Sequence, residues 1–284
     1  MSAAARPVLS TGLLMPGDRV ARPAVPLWAA RLRERVAAVR AEVRGAWDFT
    51  EGVGRVANNA ALIAALQGDA DRAASLCRAQ IRWQDRMSRR AGNVQIVKLC
   101  VQPWVNLGRL QALGGDWEGA LERFARLAHP GAGGWLCLGT LRVPPAAVDG
   151  GPGGFGEFLR SAYVADSLKA LLSNGRYAET LAFADHQAAV YGDNAVLHEA
   201  RVVATGRLGS PDAAAVLARE GRTRWRGWAR VVFTVRLAEV LACAGSREAA
   251  CSELARVVVA FGSLSLQARS RLEHLYIVVR AAQA

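Results

Sequence analysis

Lysine is almost missing from this chain. Of 36 basic residues only Lys98 and Lys169 are lysines, and the rest are arginine. Against 24 acidic residues they leave a net charge of +12 over 284 residues. Arginine, alanine and glycine together are the composition expected of a GC-rich bacterial genome. The charge is therefore read first as a solvated basic surface, and an acidic partner is the sharper alternative. Runs of strand-forming Val, Ile, Tyr and Thr are rare. The hydrophobic fraction is 52%, but much of it is alanine, the best helix former, so an all-α protein is expected. Cysteine is sparse: Cys77, Cys100, Cys137, Cys243 and Cys251 are odd in number and widely scattered, which does not look like a disulfide framework and fits a reducing cytoplasm. No apolar run reaches the roughly 18 residues of a membrane span. The most apolar long stretch, 228–243, is interrupted by Arg230, Arg236 and Glu239. Residues 1–26 are rich in proline and broken by arginine, with no apolar core of signal-peptide length. They are expected to be a flexible N-terminal segment of a cytoplasmic protein.

Catalytic patterns are equally scarce. The chain has no Cys-x-x-Cys, no His-Glu-x-x-His and no Gly-x-x-x-x-Gly-Lys-Ser/Thr, so neither a zinc spacing nor a phosphate loop is recognisable. "DGGPGGFGEF" is glycine-rich, but no apolar strand leads into it with dinucleotide-binding spacing. The histidines are His129, His186, His198 and His274. His186 beside Asp185, and His198 beside Glu199, are sequence neighbours on presumed helices, where adjacent side chains diverge. Cys77, Cys243 and Cys251 sit among small apolar residues and are read as packing residues. No catalytic residue, metal or cofactor is expected.

What the chain has is repetition. "PWVNLGRLQALGGDWEGALERF" joins two short amphipathic segments through Gly-Gly-Asp. Aligned on the turn glycine, five segments of equal length match it: 56–81, 103–128, 163–188, 197–222 and 233–258. The shared glycines are Gly68, Gly115, Gly175, Gly209 and Gly245, and five residues later comes Ala73, Ala120, Thr180, Ala214 or Ala250. Glycine ends a first helix by taking the left-handed conformation. Asp69, Asp116, Ser210 or Ser246 then stands ready to cap a second. The small residue lets the two helices approach closely. Neither helix buries its apolar face alone, so such units stack on one another. A capping helix is expected at 27–47, where Leu32, Val36, Val39 and Val43 share one stripe, and another at 264–282. Residues 129–156, rich in glycine and proline, interrupt the pattern. Within them "WLCLGTLRV" could make a short strand or hairpin, and a long insertion of this kind serves as a lid, a partner loop or a plain linker.

The pattern resembles the tetratricopeptide repeat (TPR). Trp104, Leu107, Gly108, Ala120 and Phe124 stand at the spacing of that family's signature. The other four units keep the glycine and the small residue but lose the tryptophan, and the unit at 197–222 has Arg201 where an apolar residue belongs. The resemblance implies a right-handed superhelix of about five TPR-like helix-turn-helix repeats with N- and C-terminal capping helices and one irregular insertion, all in a single domain over 27–284. It also implies a groove lined by the first helices. The residues placed there are Arg55, Asn58, Asn59, Gln102, Asn106, Arg109, Asp166, Lys169 and Glu199. Asparagine can bond both backbone groups of an extended chain, and arginine can hold a carboxylate with two parallel bonds.

A second constellation is "REGRTRWRGWARVV" at 219–232, in which Arg222, Arg224, Arg226 and Arg230 alternate with Trp225 and Trp228. Interleaved arginine and aromatics can bind phosphate and stack bases. The favoured reading is a connection whose tryptophans pack between repeats while the arginines are solvated. The expected function is accordingly a non-catalytic module that binds a protein or peptide in its groove. The alternatives are a ligand-sensing regulator lacking its own DNA-binding domain, with a small-molecule ligand, and an enzyme of a bacterial specialised pathway with a pocket between groove and insertion. Neither nucleic acid nor a membrane is expected as a partner.

Overall fold

A computed structural model describes residues 46–91, 94–129, 136–138, 141–143 and 155–261. The expected flexible segment at 1–26, both capping helices and most of the glycine/proline-rich insertion lie outside the described residues. The described chain is mostly helical. It runs α1 (Ala46–Leu66), α2 (Ala70–Ala91), α3 (Val94–Leu113), α4 (Trp117–Ala128), β1 (Leu136–Leu138), β2 (Leu141–Val143), α5 (Phe155–Ser173), α6 (Tyr177–Tyr191), α7 (Ala195–Arg207), α8 (Pro211–Arg224), α9 (Gly227–Cys243) and α10 (Arg247–Phe261). The chain divides into two compact units between Ala170 and Leu171. None of the described helices is long and apolar enough to cross a membrane.

All five turns predicted from glycine are built alike. Gly68, Gly115, Gly175, Gly209 and Gly245 have φ between +72 and +88°. Each glycine N–H reaches the carbonyl three residues back at 3.0–3.2 Å, and the next N–H reaches the carbonyl five residues back at 2.9–3.2 Å. This paired closure satisfies carbonyls that the helix end would otherwise leave open. The small residue five positions after the glycine donates its N–H to the carbonyl of the residue just after the glycine. Ala73, Ala120, Thr180, Ala214 and Ala250 are all fully buried. Caps differ between turns. Asp69 and Asp116 each accept an N–H three residues on, at 3.0 Å. Ser210 makes no side-chain cap. Pro211 follows it, and a proline in the first helical turn brings a preset φ and one fewer N–H to satisfy.

In the first unit α1 packs on α2, α2 on α3 and α3 on α4, with α1 also meeting α3. Gln80 ties α2 back to α1 by donating to the Gly54 carbonyl at 3.0 Å. In α3–α4, Gly108 lies under the Phe124 ring, where a Cβ would come within 2.4 Å of a ring carbon. Arg123 stacks 5.0 Å from the Trp104 ring centroid and bonds Gln111. α3 starts at Val94 and continues through buried Pro103, nine residues before the expected start. One missing N–H is tolerated where packing holds the helix on both sides. Within the stretch "WLCLGTLRV" the described residues β1 and β2 pair antiparallel, with Leu136 opposite Val143 and Leu138 opposite Leu141. Leu136 and Leu138 are buried, and β1 packs on α4.

In the second unit α6 to α10 pack in succession, with α7 also meeting α9. Gly221 on α8 lies under Phe233 of α9, again with a would-be Cβ at 2.4 Å from the ring. Nine consecutive residues of α9, Val232–Val240, are buried, including Arg236 and Glu239. Arg201, the residue that breaks the apolar pattern, is bonded to Asp185 and Asp193 at 2.8 Å each and to the Ala184 carbonyl at 3.2 Å. Its charge is satisfied at a helix junction, so it does not spoil the packing.

Candidate functional site

Five of the residues placed in the groove from sequence come together in the first unit. Asn106 Nδ2 donates to Asn58 Oδ1 at 2.6 Å. Arg109 Nη1 donates to Asn106 Oδ1 at 3.2 Å. Arg109 Nε and Nη2 then grip the two carboxylate oxygens of Asp166, both at 2.9 Å. Lys169 Nζ stands 3.7 Å from the same carboxylate. The chain of contacts thus links α1, α3 and α5. Asp166 is 2% exposed and Asn106 4%, whereas the side chains of Arg109 and Lys169 are 23% and 30% exposed. A buried carboxylate needs ionic partners, and the parallel fork of Arg109 supplies the strongest geometry for one. The buried members hold the network in shape, and the cationic members reach solvent. Asn59 and Gln102 are half-buried on α1 and α3. Arg55 belongs to α1, and its side chain lies outside the described residues.

The same helical register recurs in the second unit with another outcome. Asn106, Asp166 and Arg236 each stand nine residues before a turn glycine. Arg109, Lys169 and Glu239 each stand six residues before it. Arg236 Nε and Nη2 donate to Glu199 Oε1 at 2.9 and 2.7 Å, and Nη1 donates to Glu239 Oε2 at 2.7 Å. Arg236 and Glu199 are fully buried and Glu239 nearly so. Burial raises the Glu239 carboxyl above the ordinary carboxylate range, and Arg236 opposes this only in part. For Arg236 burial disfavours the charge, but Glu239 and Glu199 outweigh it and hold the pKa above its ordinary value. Glu199, expected in the groove, is here an interior counter-ion to Arg236. In the sequence its partners Arg236 and Glu239 stand out only as charges interrupting an apolar run. Their shared register with Asn106 and Arg109 is the signal that could have found them.

The arginine–tryptophan stretch is tied inward at several points. Arg222 bonds Glu253 at 2.7 Å and Arg224 bonds Asp193 at 2.6 Å. Arg224 also lies 4.9 Å over the Trp225 ring, and the Trp225 indole donates to His198 Nδ1 at 3.4 Å. Arg226 and Arg230 are exposed, while Trp228 is half-buried. His198 is 5% exposed, and burial lowers its pKa below the ordinary histidine value. Cys77 is buried and its thiol is pushed up to about 11, so it stays protonated and inert at neutral pH. Among the described residues no three His, Cys, Asp or Glu side chains gather as metal ligands.

Compared with protein-family models, with curated proteins and with solved structures, the chain matches none.

Proposed function

We propose that the protein is a TPR-like binding module without chemistry of its own, and that α1, α3 and α5 present its ligand-holding face to an extended protein segment. The observation that carries this reading is the register. Polar pairs three residues apart recur at the same distance from the turn glycine, Asn106 with Arg109 and Asp166 with Lys169, and they join successive first helices. A helical bundle without repeats gives no reason for that coincidence. In the first unit these pairs leave a guanidinium and an ammonium partly exposed, and Asn59 and Gln102 on α1 and α3 are half-buried. Such a surface can take both backbone groups and carboxylates of a passing chain.

The test is selection from a displayed library of random peptides, followed by fluorescence anisotropy of a selected peptide on the full chain. Lys169→Ala and Gln102→Ala remove partly exposed groups while the two bonds from Arg109 to the buried Asp166 carboxylate stay in place. Each is expected to weaken binding at least about tenfold, which corresponds to about 1.4 kcal/mol. Selection of no peptide, or binding indifferent to both changes, would sink the proposal.

A further inference from the structure

His198 uses both ring nitrogens at the meeting point of three helices. It stands on α7. Its Nε2 lies 2.9 Å from the Leu217 carbonyl of α8. Its Nδ1 lies 3.4 Å from the indole nitrogen of Trp225, the residue that ends α8. Its ring meets Phe233 of α9 edge-on, with centroids 4.9 Å apart. The partners dictate the tautomer. A carbonyl only accepts and an indole N–H only donates. The imidazole must therefore be neutral, with its proton on Nε2 and a lone pair on Nδ1. A second proton would set N–H against N–H at the Trp225 contact.

We propose that His198 is an acid-sensitive latch: uptake of one proton at Nδ1 expels the Trp225 indole and frees the connection between α8 and α9. The construction around the ring supports a localised release. Trp225 is held by its backbone N–H to the Gly221 carbonyl at 3.0 Å, by Arg224 over its ring, and by His198. Arg224 in turn depends on Asp193. The charged groups acting on the imidazole are Asp193 from the segment before α7, Arg201 on α7 and Arg224 at the end of α8. From α6, Asp185 is taken up by Arg201. From α9 the ring meets apolar Phe233, while Arg236 and Glu239 of that helix are bonded to each other. Asp193 alone among the three favours the imidazolium, and both its oxygens are already engaged by Arg201 and Arg224.

The direction with pH follows. Burial, the largest effect, holds the folded pKa of His198 below its ordinary value. The unfolded chain therefore binds the proton first, near pH 6.5. The latch contributes its full stability above about pH 6.5 and loses it as the pH falls from there through the lower folded value.

The experiment is tryptophan fluorescence of the full chain, titrated downward from about pH 8 through the histidine range, with far-UV circular dichroism recorded alongside. Subtracting the spectrum of Trp225→Phe isolates the Trp225 emission. The expected result is a red shift with a one-proton midpoint below about 6.5 while helicity stays constant. In His198→Gln the shift is expected to vanish, because the amide can accept from the indole and donate to Leu217 without titrating. A shift with the same midpoint in His198→Gln, or a Trp225 emission that does not move, would overturn the proposal. If that variant does not fold, nuclear magnetic resonance of the unsubstituted chain decides between the same outcomes. The Trp225 indole signal must move with the midpoint of the His198 ring, and different midpoints reject the latch.

Discussion

The two units place polar residues at the same register of their first helices and put them to different use. In residues 46–170 the Asn106–Arg109 and Asp166–Lys169 pairs form a network with a buried floor and a partly exposed cationic rim. In residues 171–261 the equivalent Arg236–Glu239 pair is sealed inside with Glu199. The difference lies in the neighbours. α9 is apolar nearly all round, and it is covered along nine consecutive residues. Where packing closes over a polar pair it becomes an interior ion cluster, and where it stops short the same register leaves cationic groups partly exposed.

The widest separation between the units should appear when each arginine is removed. Arg236→Met removes the guanidinium that Glu199 and Glu239 share, and loss of one partner from a buried pair costs about 3–5 kcal/mol. Arg109→Met leaves Asp166 with the Lys169 ammonium 3.7 Å away, so the loss should be smaller, about 1–3 kcal/mol. Urea denaturation followed by circular dichroism measures both. Equal losses would erase the distinction between a sealed and an open network. Replacing Glu199, Arg236 and Glu239 together by methionine sharpens the point. If stability returns, the cluster is dispensable to the fold, as many buried ion pairs are.

Glycine under phenylalanine is where the units should agree. Gly108→Ala and Gly221→Ala each drive a methyl to 2.4 Å from a ring, and overpacking of this kind costs about 1–3 kcal/mol. Phe124→Leu and Phe233→Leu in the respective backgrounds should each recover part of the loss. A large effect in one unit alone would show that the two close approaches are not equivalent. The turn glycines come next. Gly115→Ala and Gly245→Ala meet no atom within 4 Å, so their cost is conformational, about 1–2 kcal/mol in the left-handed region. Thermal unfolding of the two variants should give similar shifts. The smallest effect belongs to the exposed Arg126–Glu122 pair on α4. Glu122→Gln should change stability by less than about 0.5 kcal/mol.

Much of the local architecture was legible because its causes are local. A glycine at the end of an amphipathic run and a small residue five positions on specify one turn, and all five turns share it. The strand pairing in "WLCLGTLRV" was legible for the same reason. Helix starts were less so: α3 reaches back through Pro103 to Val94, since packing on neighbouring helices extended what the sequence pattern alone would end. Of the candidate site, Asn106, Arg109, Asp166 and Lys169 could be grouped by helical register, and Asn58 stands one residue outside it. Their bonding to one another could not be read, because the partners are 48 and 57 residues apart in the chain. Arg201 is a defect in the repeat pattern until Asp185 and Asp193 are placed beside it.

By itself the sequence determined where helices end and which positions on successive first helices are polar. Both follow from interactions within a few residues, the left-handed freedom of glycine and the periodicity of side chains around a helix. The tertiary structure alone decided which polar positions are buried and which reach water, and which charge answers which. Burial and ion pairing depend on helices brought together from distant parts of the chain, so Glu199 became an interior counter-ion and Lys169 part of an accessible rim.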